Sequence, residues 1–259
     1  MSLRIVFIGA GNLATHLSIE LKRNGFNVVQ VYSRTSTSAY QLAQKLEADY
    51  TTRIDDLVTD ADIYFIALKD SVVDEVLYQT HFRSGLVVHC SGSLPLDVLL
   101  PYSNNIGVLY PLQTFSKSRE VDFQNIPVFI EGNTPDSEEL LLYIANKLSV
   151  RVAVLNSEKR LYLHIAAVFS CNFVNHFYTI ASEVLQSQDI PFDVVHPLIA
   201  ETASKALSIE PRSAQTGPAI RYDRNVIDKH LNALTSFPEF RKLYKEVSLS
   251  IHNLHQNIS

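Results

Sequence analysis

Ile5-Val6-Phe7-Ile8-Gly9-Ala10-Gly11-Asn12-Leu13-Ala14 is an apolar strand that runs into a Gly-x-Gly-x-x-Ala turn, and an amphipathic segment follows it. Gly9 permits a tight turn, Gly11 lets the backbone approach a pyrophosphate, and the small Ala14 lets the next helix pack closely on a sheet. The N-terminus of that helix favours phosphate charge. The stretch predicts a dinucleotide site with contacts from Gly9, Gly11, Asn12, Leu13 and Ala14.

A second apolar strand follows at residues 27–32 and completes a β-α-β unit of roughly 30 residues, the usual length. The end of this strand indicates which dinucleotide binds, because NAD sites usually have an acidic residue there. This chain has Ser33, Arg34 and Thr35 instead, and a guanidinium beside hydroxyls suits a 2′-phosphate. We therefore predict NADP(H) as the cofactor. The alternative is a polar loop that only caps the next helix.

The composition is that of an ordinary globular protein, with 46% hydrophobic and 19% charged residues in 259. No apolar run is long enough to cross a bilayer. The chain enters a core strand almost at once, which leaves no room for a secretory signal, and Cys90 and Cys171 do not make a disulfide framework. We therefore expect a cytoplasmic protein. A net charge of -5 argues against nucleic acid as a partner.

Strand-like apolar runs alternate with helical segments through about residue 155, which is typical of a Rossmann fold, a doubly wound, mostly parallel α/β sheet. From Ser157 onward the apolar positions keep helical spacing. The sequence therefore predicts a Rossmann domain at residues 1–155 and an all-helical domain at residues 156–259. One long helix is expected at residues 157–188, and its length indicates that a partner subunit helps to bury it.

Candidate ligand residues follow several of the predicted strands, where doubly wound sheets bind their ligands. Leu68 follows one strand, Ser91 and Gly92 follow the next, and Tyr110 follows the one after. We predict that Leu68 and Ser91 contact the cofactor, and that Ser91, Gly92 and Tyr110 contact the substrate. A tight turn at Ser91 and Gly92 that simply starts a helix is the alternative.

His164 and Asn172 are the candidate catalytic residues. Hydride transfer to a carbonyl or imine leaves charge on the heteroatom, so an acid or a hydrogen-bond donor must meet it. The two residues are eight apart and should lie on nearly one face of a helix. A core histidine with satisfied hydrogen bonds is the alternative for His164.

Arg221 is a candidate clamp for a substrate carboxylate, with a structural ion pair as the alternative. Asp223, two residues later, is expected to cap the next helix. His252 and His255 have no evident third ligand, so no metal site is predicted.

Four further stretches carry a family resemblance: His89-Cys90-Ser91-Gly92-Ser93, residues 110–115, residues 164–173 and residues 216–223. They resemble NADP oxidoreductases of the 6-phosphogluconate dehydrogenase-like superfamily whose C-terminal half is a domain of unknown function. The resemblance implies a Rossmann domain, a helical domain that dimerises, and kinship with pyrroline-5-carboxylate reductase and ketopantoate reductase. That family has His where this chain has Tyr110, and Gly where it has Tyr222.

Together these features predict an NADP-dependent oxidoreductase that transfers hydride to or from a C=O or C=N bond of a small, carboxylated metabolite. The expected assembly is a homodimer through the helical domain. The two tyrosine departures support the alternative, a non-catalytic protein that senses NADP(H) or another metabolite.

Overall fold

The structure is a computed structural model that describes residues 3–256. Its chain separates into two compact units, one that ends at Asn172 and one that begins at Phe173. The last strand ends at Val154, so the first unit contains the whole sheet and the helical segment that follows it. The predicted domain boundary after residue 155 lies next to the end of the last strand. The division into two domains at that point stays a prediction.

An eight-stranded, mostly parallel sheet forms the centre of the first unit, which confirms the predicted fold class. Its strands are β1 Arg4–Ile8, β2 Asn27–Tyr32, β3 Asp49–Thr51, β4 Ile63–Ile66, β5 Leu86–His89, β6 Ile106–Pro111, β7 Val128–Gly132 and β8 Val152–Val154. They lie in the order β3-β2-β1-β4-β5-β6-β7-β8, and β7 is antiparallel to β6. The first six strands have the Rossmann order, which reverses between β1 and β4.

Apolar side chains cover both faces of the central strands, so these strands are buried. Along β1, Ile5 and Phe7 enter one apolar cluster, whereas Val6 and Ile8 enter another. All four side chains are fully buried. This is why the strand appears in the sequence as a continuous apolar run rather than as an alternating pattern.

The first unit contains five α-helices among its described residues. They are α1 Asn12–Arg23, α2 Ser36–Leu46, α3 Val73–Leu77, α4 Pro135–Leu148 and α5 Ser157–Ala167. Of these, α1, α2 and α4 contact the strands of the sheet. A capping box begins α4: Thr134 Oγ1 accepts the Ser137 N–H at 3.2 Å, and Ser137 Oγ accepts the Thr134 N–H at 3.0 Å. These bonds satisfy two backbone donors that the helix itself leaves unpaired.

The long helix predicted at residues 157–188 is wrong as an uninterrupted α-helix. A π-helical segment at Val168–Phe173 follows α5 directly, and α6 Val174–Gln186 comes after it. A π turn closes its hydrogen bonds between residues five apart and so holds one more residue than an α turn. Apolar spacing does not reveal such a local change.

The second unit is helical in the part that the structure describes. Its other helices are α7 His196–Ser208, α8 Pro211–Ala214, α9 Arg224–Ala233 and α10 Pro238–Gln256. Across residues 3–256, no helix combines the length and the apolar character needed to span a membrane.

Candidate dinucleotide site and adjacent pocket

The turn after β1 has the geometry that a bound pyrophosphate needs. Gly9 has a φ of +123°, and a Cβ there would lie 2.3 Å from Ala67 O, so a side chain does not fit. At Gly11, a Cβ would have no heavy atom within 4 Å, which leaves open space beside the turn. Ala14 is fully buried, as close packing of α1 on the sheet requires. The turn therefore fits a dinucleotide.

The N-terminus of α1 keeps its first backbone N–H groups available. Gly11 is the N-cap, and among the described residues no side chain caps this helix, so its positive dipole end can receive an anion. Asn12 uses its side-chain Nδ2 to donate to Phe115 O at 2.9 Å. Leu13 packs against the core. The side chain of Asn12 thus ties the loop after β6 to the dinucleotide turn.

Ser33, Arg34 and Thr35 lie at the end of β2, where the predicted 2′-phosphate contacts belong. The Arg34 side chain is exposed, and within residues 3–256 it forms no ion pair. Ser33 Oγ accepts the Thr35 N–H at 3.4 Å. An exposed and uncompensated guanidinium beside two hydroxyls fits a phosphate monoester.

Leu68 and Ser91 lie after β4 and β5, at the carboxyl edge of the sheet. Leu68 Cδ2 would be 3.4 Å from a Cβ on Gly9, so Leu68 borders the dinucleotide turn. The Ser91 hydroxyl donates to Asp70 Oδ2 at 3.0 Å and accepts the N–H groups of Ser93 and Leu94 at 3.1 Å each. These bonds hold the turn after β5 in place.

Two predicted substrate-site residues, Gly92 after β5 and Tyr110 near the end of β6, come together with the predicted catalytic His164. Tyr110 OH and His164 Nδ1 are 3.0 Å apart, and a Cβ on Gly92 would lie 2.6 Å from the same Nδ1. Gly92 therefore provides the room that the imidazole occupies. Burial raises the pKa of the Tyr110 phenol, although the positive charge of Arg160 opposes this shift. The phenol thus stays protonated near neutral pH and can donate a hydrogen bond.

His164 lines a pocket of about 460 Å³ that belongs entirely to the first unit. One wall is the end of β6 with the loop after it, and the other is α5 with the π segment. The lining residues are Tyr110, Leu112, Gln113 and Thr114 from the first wall, and Leu163, His164, Ala166, Ala167, Ser170, Cys171 and Asn172 from the second. The two predicted catalytic residues therefore meet at one pocket.

The π segment helps to bring Asn172 to the side of His164. In an ideal α-helix, residues eight apart are rotated about 80° from one another, because each residue turns by about 100°. Residues of a π turn rotate by less, since the turn holds one more residue. Half of the eight steps lie within Val168–Phe173, so the rotation between the two side chains decreases.

A buried ion pair fixes the start of α5, and the sequence reasoning missed it. Arg160, with 1% of its side chain exposed, pairs with Glu131 of β7. Its Nη2 also donates to Leu94 O at 2.6 Å, and Ser157 Oγ donates to Glu131 Oε2 at 2.7 Å. Because Arg160 lies one turn before His164, this network positions the imidazole. The available signal was Glu131, a charged residue in an otherwise apolar strand.

His89 and Cys90 are core residues rather than reactive groups. Burial and, to a lesser degree, the charge of Arg160 lower the pKa of His89 to about 4, so its ring is neutral. His89 Nδ1 accepts the Ser91 N–H at 3.2 Å. Burial raises the pKa of the Cys90 thiol to about 12, which excludes a thiolate nucleophile near neutral pH.

Arg221, Tyr222 and Asp223 belong to the second unit. Asp223 Oδ1 accepts the Val226 N–H at 3.3 Å and so caps α9, as expected. Arg221 is exposed, and it is not among the residues that line the pocket. Tyr222 has a φ of +48°, a left-handed conformation that favours glycine, and its ring stacks on His252 at 4.6 Å. The alternative role for Arg221 was a structural ion pair, but within residues 3–256 no acidic side chain pairs with it.

His252 and His255 make hydrogen bonds to backbone oxygens. His252 Nδ1 lies 3.2 Å from Ile220 O, and His255 Nε2 lies 3.1 Å from Arg212 O. In the part of the chain that the structure describes, no cluster of three His, Cys, Asp or Glu side chains is arranged to hold a metal.

Comparisons with known proteins agree with the fold and with the dinucleotide turn. Residues 4–91 match the family model described as "NADP oxidoreductase coenzyme F420-dependent", and residues 126–251 match a domain of unknown function, DUF2520. A crystal structure from Bacteroides fragilis, described as a candidate NADP oxidoreductase, is 49% identical in sequence. The match covers 97% of this chain and 98% of that chain, with a TM-score of 0.91.

More distant solved structures share the fold. An imine reductase from Myxococcus stipitatus in complex with NADP+ is 14% identical, with a TM-score of 0.66, over 98% of this chain and 93% of that one. A 1-pyrroline-5-carboxylate reductase from Streptococcus pyogenes is 13% identical, with a TM-score of 0.62, over 97% of this chain and 99% of that one. A search of curated protein sequences found no match.

Proposed function

Since the chain belongs to the family of NADP oxidoreductases that includes the Bacteroides fragilis protein, we propose that it transfers hydride between NADP(H) and a C=N or C=O bond of a small molecule. The observation that carries this proposal is the contact of 3.0 Å between Tyr110 OH and His164 Nδ1 at the edge of a pocket. The loop that lines this pocket is also the loop that Asn12 ties to the dinucleotide turn. Cofactor site and pocket are thus joined within one unit.

NADP(H) is the cofactor, and it supplies or accepts the hydride when bound. The pyrophosphate would lie against the backbone of residues 9–14, where Gly11 leaves open space and the α1 N-terminus favours negative charge. Arg34, with Ser33 and Thr35, would hold the 2′-phosphate. Leu68 and the Ser91 turn would border the cofactor at the carboxyl edge of the sheet.

The proposed catalytic residues stabilise the charge that develops on the substrate heteroatom. When the carbon receives hydride, the heteroatom becomes basic and must take a proton or a hydrogen bond. Tyr110 contacts Nδ1 of His164, which leaves Nε2 to face the heteroatom. When Nε2 gives its proton to the heteroatom, the Tyr110 hydroxyl passes its proton to Nδ1 and takes one from solvent, so the imidazole ends neutral. The amide of Asn172 donates a second hydrogen bond and so orients the substrate.

A C=N substrate has support from the folds that resemble this one. Proteins titled imine reductase, pyrroline-5-carboxylate reductase and reductive aminase share the architecture of this chain. At sequence identities of 11–14%, the similarity to these proteins shows a shared fold and nothing more. We therefore give cyclic imines priority among the compounds to be tested, together with ketones and keto acids.

We also propose a homodimer through the helical domain. Val194, Leu198 and Leu207 are 55%, 65% and 91% exposed in the second unit, and none of the residues of α7 is buried. Large apolar side chains exposed on and next to one helix, with none of that helix buried, are typical of an element that a partner covers. A second copy of the chain would cover them.

The test of the proposed reaction is oxidation of NADPH by the purified protein in the presence of ketones, keto acids and cyclic imines. With any substrate that is turned over, His164→Ala should lower kcat by about 100-fold or more, and Asn172→Ala by about tenfold. His81→Ala, at an exposed position outside the pocket, should leave kcat unchanged. Tight NADPH binding with no turnover would contradict the proposal and favour the sensor.

A further inference from the structure

We infer that the pocket takes an uncharged ketone or imine rather than a carboxylated one, an inference that rests on the proposed function. The part of the chain that the structure describes contributes no Asp, Glu, Lys or Arg to the lining. Aliphatic side chains such as Leu112, Leu163 and Ala166 lie beside neutral amides such as Gln113 and Asn172. The lining offers apolar contact and hydrogen bonds, but no permanent cation to balance a carboxylate.

Arg160 is the cation whose charge acts on the Tyr110 phenol, but it does not reach a ligand. Its side chain is 1% exposed and pairs with Glu131. One guanidinium nitrogen, Nη2, already donates to Leu94 O at 2.6 Å and to Ser157 Oγ at 3.1 Å. A carboxylate in the pocket would give up part of its water for neutral and apolar groups and would gain no ion pair, which is unfavourable.

His164 does not supply the missing charge either. In the proposed reaction it exchanges a proton with the heteroatom, and its Nδ1 is held by Tyr110. A carboxylate against this ring would occupy the place of the reacting group. An uncharged substrate leaves the ring to the heteroatom and places its hydrocarbon part against the aliphatic side chains.

The pocket volume of about 460 Å³ is in the lower part of the range of roughly 300–1,000 Å³ that is usual for small-molecule sites. The volume therefore favours a small, compact molecule. A simple cyclic ketone is a suitable probe, because adding one carboxylate changes its charge and little else.

The experiment compares cyclopentanone with 3-oxocyclopentane-1-carboxylate. Binding of each to the full-length protein saturated with NADP+ is measured by calorimetry, which needs no turnover. We expect the ketone to bind at least tenfold more tightly than the keto acid, since a carboxylate finds no cation in this lining to offset its lost hydration. Equal or tighter binding of the keto acid, or no binding of either compound, would overturn the inference.

Three variants locate the origin of the preference. Gln113→Arg places a guanidinium at the pocket and should strengthen keto acid binding by about tenfold, while ketone binding stays the same. Gln41→Arg adds the same charge on α2, outside the pocket, and should change neither affinity. Arg221→Ala should preserve the preference for the ketone. If Arg221→Ala instead abolishes tight keto acid binding, Arg221 is the carboxylate clamp and the inference is wrong.

Turnover separates this inference from the proposed function. Tight ketone binding without NADPH oxidation by any compound would contradict the reaction but support an uncharged ligand. Turnover of the keto acid with a kcat/KM at least tenfold above that of the ketone would support the reaction and overturn the inference.

Discussion

At the scale of single residues, the exposed guanidinium of Arg34 is the charge best placed to distinguish NADPH from NADH. It lies at the end of β2, where many NAD sites have a carboxylate. No other charge in residues 3–256 is paired with it, so its full attraction is available to a 2′-phosphate. A bidentate contact between guanidinium and phosphate is strong enough to decide cofactor preference.

Arg34→Asp should reverse this preference. We expect the Kd for NADPH to rise by about tenfold or more, because attraction becomes repulsion, while the Kd for NADH stays the same or falls. Fluorescence titration with both cofactors measures the change. Arg83→Asp alters the charge equally at another exposed position and should leave both values as they are. Equal affinities of the wild-type protein for NADPH and NADH would contradict the assignment.

The buried ring of His89 predicts how the free energy of unfolding depends on pH. Its pKa in the folded protein is about 4, whereas an unfolded histidine has a pKa of about 6.5. Above pH 6.5 the ring is neutral in both states and contributes no pH dependence. Below it, the unfolded chain takes up the proton first, so the free energy of unfolding falls, by about 2–3 kcal/mol between pH 7 and 4.5.

Urea unfolding of the wild type and of His89→Gln at these two pH values measures this contribution. The variant should lose less stability on acidification than the wild type, by about that amount. His81→Gln, at an exposed position, should follow the wild type. An unchanged slope in the His89 variant would show that the ring is not held neutral.

At the scale of secondary-structure elements, the Arg160–Glu131 pair connects α5 to β7. Removal of either partner leaves the other charge buried, so Arg160→Met and Glu131→Gln should each lower the free energy of unfolding by about 3–5 kcal/mol. The double variant should lose clearly less than the sum, because no unpaired charge remains. Chemical denaturation of the three variants forms the cycle.

The solvent-accessible pair Lys22 and Glu47 of the first unit, outside the proposed dimer contact, provides the matched control. The same kinds of substitution there, Lys22→Met and Glu47→Gln, should change stability by about 0.5 kcal/mol or less. Additive effects of Arg160→Met and Glu131→Gln in the double variant would contradict a coupled buried pair.

Most elements of the first unit were predictable because burial on both faces of a parallel strand leaves a continuous apolar run, as in β1 and β4. The edge strand β3, Asp49–Thr51, was missed, since three residues with a polar start do not form such a run. The π segment was missed because a single wider turn does not change the overall helical spacing.

The candidate site was predictable in its parts but not in its contacts. Gly92 and Tyr110 were predicted because they follow predicted strands. His164 was predicted because hydride transfer needs a proton donor or a hydrogen-bond donor at the heteroatom. The hydrogen bond between Tyr110 and His164 joins residues 54 apart in the chain, and the Arg160–Glu131 pair joins residues 29 apart. Such contacts follow from the packing of whole elements, which a residue pattern does not specify.

At the scale of the whole molecule, the exposed apolar side chains of the second unit predict a dimer. Leu198→Glu and Leu207→Glu together should yield a monomer, because charges at a buried contact lose their hydration. Light scattering after size exclusion measures the mass of the variant and of the wild type. Leu100→Glu, an exposed leucine of the first unit, should leave the mass unchanged. A monomeric wild-type protein would contradict the proposed assembly.

The loop after β6 has a consequence for how strongly the cofactor and the substrate affect each other's binding. Its residues Leu112 to Thr114 line the pocket, and the next residue, Phe115, is held by Asn12 of the dinucleotide turn. One short length of backbone is therefore shared by two binding events, and the conformational entropy lost when the first ligand fixes it need not be lost again by the second. We therefore expect each ligand to bind more tightly when the other is already bound.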